Sequence, residues 1–329
     1  MTKVSVLNLV PHFEGETEKE AIDRATGLVS IVEKQGYTRY WVAEHHNFKG
    51  VLSSATDLIM QHLLVNSTKI RLGAGGVMIP NHTTLQVAER FGTLATLYPD
   101  RIDLGLGRAP GTDQATARLI YRGDSSEGGF ARSIQELQRY FGPEDVQADV
   151  IANPGLGLEV PLYILGSSVS SAYVAAEFGL PYSFASHFAP QQMGEALEIY
   201  RSRFKPSKQL KEPYVIMGVL GYAAHSDEEA DRLYMINQKA NLDLIRGEQG
   251  RYKQPDENFR EQLTSAEKLF IDSRMGLSLK GSKDAIAKQW QEYSNLYQAD
   301  EVIVVSYLPT LEQLETSYGI IADVILSDA

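Results

Sequence analysis

Eight short apolar runs, most followed by a stretch with helical spacing, constrain what this chain can fold into. They are VSVLNL (Val4 to Leu9), RYWVAE (Arg39 to Glu44), IRLGAGGVM (Ile70 to Met78), RIDLGL (Arg101 to Leu106), LYILG (Leu162 to Gly166), YSFAS (Tyr182 to Ser186), VIMGVLG (Val215 to Gly221) and EVIVVS (Glu301 to Ser306). Helical patterns run from Glu18 to Gln35, stopping at Gly36, and over about 168–178, 190–204, 226–246 and 283–297. Another, through Leu85, Ala88, Phe91, Gly92 and Ala95, closes at Tyr98-Pro99. Strands that are nearly all apolar suit a parallel sheet covered on both faces, and eight of them predict an α/β fold of the (β/α)₈ barrel type. A doubly wound sheet is the competitor, but it usually places its binding loop after the first strand, where this chain has only LVPHFEGE. No shift in composition marks a linker, so residues 1–329 are expected to form one domain. Two irregular stretches, Gly107 to Gly128 and Gly247 to Gly281, are expected to crown the C-terminal face as long loops.

Charge and composition narrow the partners. With 31 basic and 42 acidic residues the formal charge is −11, which disfavours a broad basic surface for nucleic acid or an anionic membrane. An anionic ligand must therefore be held locally. Cysteine is absent, which excludes disulfides, thiolate catalysis and zinc–sulfur sites. The opening MTKVSVLNLVPHFEGE is too short in apolar residues for a signal segment, and no run approaches the roughly 20 needed for a membrane span. A cytoplasmic protein is expected.

Four motifs carry candidate chemistry. In DRIDLGLGRAPGTD (Asp100 to Asp113) the dinucleotide fingerprint G-x-G-x-x-G fails, because Gly111 comes one residue late and Pro110 precedes it. That leaves Arg108, a permanently charged planar clamp for phosphate or carboxylate at a strand end. GSSVSSA (Gly166 to Ala172) follows the fifth strand and opens a helix; its serines are either caps or, beside Arg108, part of an anion site. In IRLGAGGVMIP, Gly75 and Gly76 mark either a tight corner in a packed barrel or a place where a flat ring approaches bare backbone. WVAEHHNF ends the second strand with Glu44, His45 and His46. Neighbours on a strand point to opposite faces, and neither H-x-x-x-H nor H-E-x-x-H occurs, so no metal site is expected. One of these histidines facing the barrel mouth would be a general acid or base; otherwise both are hydrogen-bonded loop residues. His82 and His187, just after the third and sixth strands, could line a substrate pocket or sit at the rim. No G-x-S-x-G elbow supports a serine hydrolase, and no motif singles out a glycosidase carboxylate pair.

Taken together, RYWVAEHHN, IRLGAGGVMIPNH, VAERFGTLATLYPDRIDLGLGRAPGTDQ and LYILGSSVSSA resemble the bacterial luciferase-like, flavin-dependent monooxygenases, in particular their single-chain homologues. The motifs fall in order along essentially the whole chain. The resemblance implies a luciferase-like barrel that uses reduced FMN as cosubstrate with molecular oxygen to oxygenate a small organic substrate. It places the catalytic histidine at His45 and a flavin-backing non-proline cis peptide at Gly75 and Gly76. Phosphate contacts fall on Arg108, Ser168 and Ser171, with Gly166 and the amide of Ser167 beside them. It also implies a homodimer, and reducing equivalents from a separate NAD(P)H-dependent flavin reductase or a nicotinamide nucleotide. Where the luciferase α subunit has a reactive cysteine beside the arginine, this chain has Gly107, so thiol chemistry does not carry over; the family's mobile loop after strand seven has an analogue by position only, Gly247 to Gly281, so neither light emission nor an aldehyde substrate carries over. Two alternatives share the phosphate site: a deazaflavin- or FMN-dependent dehydrogenase, and a flavin-binding protein without turnover.

Overall fold

The computed structural model describes residues 2–124, 126, 128–146, 149–248 and 250–327. In chain order the elements are β1 (Lys3–Asn8), α1 (Glu18–Lys34), β2 (Arg39–Val42), α2 (Thr56–Val65), β3 (Arg71–Met78), α3 (Thr84–Leu97), β4 (Ile102–Gly107), α4 (Gln114–Ile120), α5 (Gly129–Tyr140), β5 (Leu162–Gly166) and α6 (Val169–Phe178). They continue with β6 (Tyr182–Phe184), α7 (Met193–Arg203), β7 (Val215–Ala223), α8 (Asp227–Arg246), α9 (Ser265–Arg274), β8 (Ser278–Gly281), α10 (Lys283–Tyr297), β9 (Glu301–Val305) and α11 (Leu311–Ser327). Strands β1 to β7 pair in parallel in chain order, and β9 closes the ring between β7 and β1. The eight expected strands are thus the eight staves of a closed barrel.

The ninth strand lies outside that ring. β6 is only three residues long, and β8 pairs with the far end of β7, Leu220 opposite Ser278, continuing the wall where β6 stops. β8 and α9 fall in the stretch expected to be a loop. Only Ile271 of α9 is buried, so the segment carries almost no apolar period by which to recognise it. Leu242 of α8 packs with Phe259, Leu263 and Ile271 in a small separate cluster. Main-chain bonds also pin this excursion to the β1–α1 loop: Tyr252 N donates to His12 O and Glu14 N to Tyr252 O, each at 2.8 Å. Similarly, the stretch after Gly107 holds α4, which buries no residue. Ser125, Glu127 and Gln249, within these two stretches, lie outside the described residues.

A layer of charge crosses the N-terminal end of the lumen. Arg39 of β2 reaches Glu301 of β9 and Asp103 of β4, both at 2.7 Å, and the Tyr163 hydroxyl of β5 at 2.8 Å. Asp103 also takes Arg71 of β3 at 2.6 Å and Trp41 Nε1 at 3.2 Å, while Tyr214 donates to Glu301 at 2.7 Å. Burial alone would lower the Arg39 pKa, but the two carboxylates beside it raise it far above the ordinary range. Every charge here is paired, which is the condition under which buried ions are tolerated. Replacing one partner strands the other: Asp103→Asn or Arg39→Met is expected to cost about 3–5 kcal/mol in a urea unfolding titration. A loss below about 1 kcal/mol would show that the network does not hold the staves.

Candidate active site

The floor fixes which residues reach the mouth. Because Arg39 and Trp41 bond across the lumen, alternation along β2 turns Ala43 and His45 toward the lumen and Glu44 toward the helices. The ladder persists past the strand's end, with Ala43 N donating to Asn8 O at 3.1 Å. His45 is partly buried, its Nδ1 has no partner, and neither ring nitrogen makes a hydrogen bond among the described residues. Burial lowers its pKa, opposed by the charge of Glu44 and reinforced by His46. The ring is therefore a neutral imidazole with both nitrogens uncommitted.

Its two neighbours are committed elsewhere. The Glu44 carboxylate, 2% exposed, accepts from His46 Nε2 at 2.9 Å, His82 Nε2 at 2.9 Å, Asn81 Nδ2 at 3.0 Å and the amide of Met78 at 2.9 Å. Burial would raise this carboxyl, but the bonds from His46 and His82 outweigh it and hold it at about 2. Asn81 Nδ2 also reaches Pro110 O at 2.9 Å, and His46 N donates to Gly111 O at 3.0 Å. The ends of β2, β3 and β4 are thereby tied to one carboxylate. His82 is part of this tie; with Glu44 it lines a lateral cavity of about 470 Å³ bordered by Thr56, Phe91 and Arg90.

On β3 the Gly75–Gly76 peptide is cis, where the pairing with β4 shifts register between Ala74 and Val77. A Cβ on Gly75 would come within 2.8 Å of Leu7, and one on Gly76 within 2.6 Å of the Gly105 carbonyl. The β4 backbone therefore leaves no room for a side chain at Gly76, and the Leu7 and Trp41 side chains crowd Gly75, whatever lies over them.

Arg108 follows β4, and its exposed guanidinium touches the start of α6, with Nη2 donating to Ser170 Oγ at 3.0 Å. No carboxylate pairs with it among the described residues. Ser168, the N-cap of α6, makes no capping bond through its side chain; its hydroxyl lies 3.0 Å from that of Ser170. Ser167 is partly buried just before it. Ser171 behaves differently. Its hydroxyl bonds Ser168 O at 2.6 Å and the Tyr182 hydroxyl at 2.8 Å, and it fills the space a Cβ on Gly166 would need, 1.8 Å away. The hydroxyl presented with Arg108 is therefore that of Ser170, which motif spacing did not single out. Spacing within the motif does not reveal it, because Ser171 is turned back to β6 by a residue outside the motif, Tyr182.

The Glu44 carboxyl, held at about 2 against an ordinary 4.5, contributes stability present above about pH 4.5 that is lost as pH falls toward 2. The shift corresponds to roughly 3 kcal/mol. His187 is held neutral at about 4 by burial and by His45, so it contributes stability present above its ordinary 6.5 and lost toward 4. Thermal melts should therefore fall below about pH 6.5 and more steeply below about 4.5. Glu44→Gln should remove the steeper acid limb; an unchanged limb would place its cause elsewhere.

Among known proteins, the family model for luciferase-like monooxygenases matches residues 2–298. A protein of Escherichia coli (strain K12) named luciferase-like monooxygenase is 43% identical over 301 residues, 91% of this chain and 90% of its own. The N-acetyl-S-alkylcysteine monooxygenase of Bacillus subtilis (strain 168) is 27% identical over 336 residues, 99% of each chain. Among solved structures, apo-MsnO8 superposes with a TM-score of 0.86 at 29% identity, covering 99% of both chains. This chain belongs to the luciferase-like monooxygenase family.

Proposed function

We propose that this protein is an FMN-dependent monooxygenase that uses reduced flavin and molecular oxygen to oxygenate a small organic substrate. One observation carries the reading: a guanidinium without a carboxylate partner, set with the Ser168 and Ser170 hydroxyls at the start of a helix, suits a phosphate dianion. The residues fit FMN at that end. Reduced flavin, when bound, supplies the electrons that activate oxygen.

The chain's own residues do the rest. Arg108, Ser168 and Ser170 hold the phosphate, with Ser167 and Gly166 leading the backbone into the turn. Ser171 supports that turn through Tyr182. The Gly75–Gly76 segment bounds the mouth where the ring system would lie. His45, neutral and unpartnered, accepts or returns a proton at its free ring nitrogen. The mouth must also exclude water, and the Tyr252 strap, stacked on Tyr307 with centroids 4.8 Å apart, covers its β1–β9 side. The proposal is completed by a two-fold dimer of this chain, a separate NAD(P)H-dependent flavin reductase and a cytoplasmic setting.

Arg108→Ala should weaken FMN binding by about 1.5–3 kcal/mol, the range for a hydrogen bond to a charged group, and leave riboflavin binding unchanged in fluorescence titrations. An equal loss for both ligands would take the guanidinium off the phosphate. Ser170→Ala should act on FMN affinity, and Ser171→Ala on melting temperature. With reduced FMN and N-acetyl-S-methylcysteine as a first trial substrate, His45→Ala should keep consuming oxygen but divert it to hydrogen peroxide, a loss of about 10²- to 10⁴-fold in product formation. Substrate turnover without oxygen uptake would instead identify a dehydrogenase on the same barrel.

A further inference from the structure

The seven histidines of this chain fall into three groups. His12, His46 and His82 each hold a hydrogen bond through Nε2, to Glu16 O, Glu44 and Glu44 respectively. His62 and His225 are exposed on the surface. Among the described residues, only His45 and His187 of the histidines are partly buried with no hydrogen bond at either ring nitrogen, and in each the Nδ1 atom is fully enclosed and without a partner. These two stand at the C-terminal ends of β2 and β6, the second and sixth of eight staves, and so on opposite sides of the barrel mouth.

His187 is also the residue for which its surroundings are cut to fit. A Cβ on Gly218 of β7 would lie 2.5 Å from its Nδ1, and one on Gly276, just before β8, 2.1 Å from its carbonyl oxygen. Leu277 N donates to Ser186 O at 2.8 Å, and Ser186 Oγ to Gly218 O at 2.7 Å, which locks the backbone on both sides of the ring. Phe188, 57% exposed, packs edge-on against it with centroids 4.9 Å apart. Were packing the whole reason for the ring, an apolar side chain would serve without an orphaned nitrogen, since buried polar atoms are nearly always satisfied. The ring is fixed in place yet bonded to nothing, which is the state expected of a group whose partner arrives with a ligand.

We propose that His187 is a second ligand-contacting residue of the site His45 serves, facing it across the mouth and holding a polar group of the bound FMN. The inference rests on the flavin-site reading and adds to it the wall opposite the catalytic imidazole. Burial, joined by His45 once that ring is protonated, keeps the His187 ring neutral down to about pH 4, so it offers one donor and one acceptor at ordinary pH.

Diethyl pyrocarbonate tests this on the unmodified protein, because it acylates neutral imidazoles whose nitrogens are free, and peptide mapping reports each histidine separately. In the free protein at about pH 6, His45, His187, His62 and His225 should react faster than the three bonded histidines. FMN at ten times its dissociation constant leaves about one-tenth of the protein free, so reaction at both His45 and His187 should slow about tenfold while His62 and His225 do not change. Protection of His45 alone would overturn the inference and leave the flavin reading standing. Absence of FMN binding, or binding that protects neither histidine, would overturn the flavin reading and this inference with it. An unreactive His187 in the free protein would also overturn it, because the ring would then face no open space.

Discussion

One buried ionic layer ties together staves that the strand ladders do not join. Arg39 stands in the lumen and bonds to staves that are not its neighbours: β4 through Asp103, β5 through Tyr163 and β9 through Glu301. Adjacent strands are held by their ladders, whose number and stagger set the curl of the sheet. The cross-lumen bonds fill the closed end, because the guanidinium fork reaches two carboxylates at once in a fixed geometry. The low dielectric that makes an unpaired charge costly makes this full pairing directional. With its N-terminal end filled by charge and by Trp41, the lumen can admit a ligand only from the other end.

The C-terminal end is organised differently. There the pivot is Glu44, which faces away from the lumen and gathers His46, His82, Asn81 and the Met78 amide. Alternation along one strand thus separates two tasks within three residues. Glu44 and His46 hold the strand ends together, and His45 between them is left free. A carboxylate on the lumen side would have bonded that imidazole and raised its pKa; on the helix side it positions the strand and leaves the ring neutral.

Most of this was legible in the sequence. The eight staves could be read because each is mostly apolar, and Arg108 and the serine run stood out because polar groups follow directly on such strands. Less visible were elements whose burial is slight or irregular. α9 buries one residue and α4 none, so neither shows a periodic stripe, and β8 earns its place only by extending β7 beyond the short β6. That the Ser170 hydroxyl stands beside Arg108, while that of Ser171 turns to Tyr182, was hidden for another reason. Which hydroxyl turns outward depends on Tyr182, 11 residues away on the next strand, and spacing within one motif holds no trace of it. The fixed ring of His187 depends likewise on glycines of β7 and of the segment before β8.

A chain with a formal charge of −11 has acidic residues to spare, yet among the described residues none stands on Arg108. The nearby carboxylates are occupied. Asp113 caps α4 through the amides of Ala115 and Thr116 and holds Asn47 at 2.9 Å, and these bonds keep it well below the usual carboxylate range. Glu44 is enclosed by its four donors. A net negative surface repels anions at long range, but salt screens that repulsion beyond about 8–10 Å. At contact the local arrangement decides. A guanidinium that keeps only a serine hydroxyl for company gives up little when an anion replaces water around it, whereas an ion-paired arginine would first have to surrender its carboxylate. Where the acids are tied down therefore matters as much for an anion at this mouth as where Arg108, unpaired with any carboxylate among the described residues, stands.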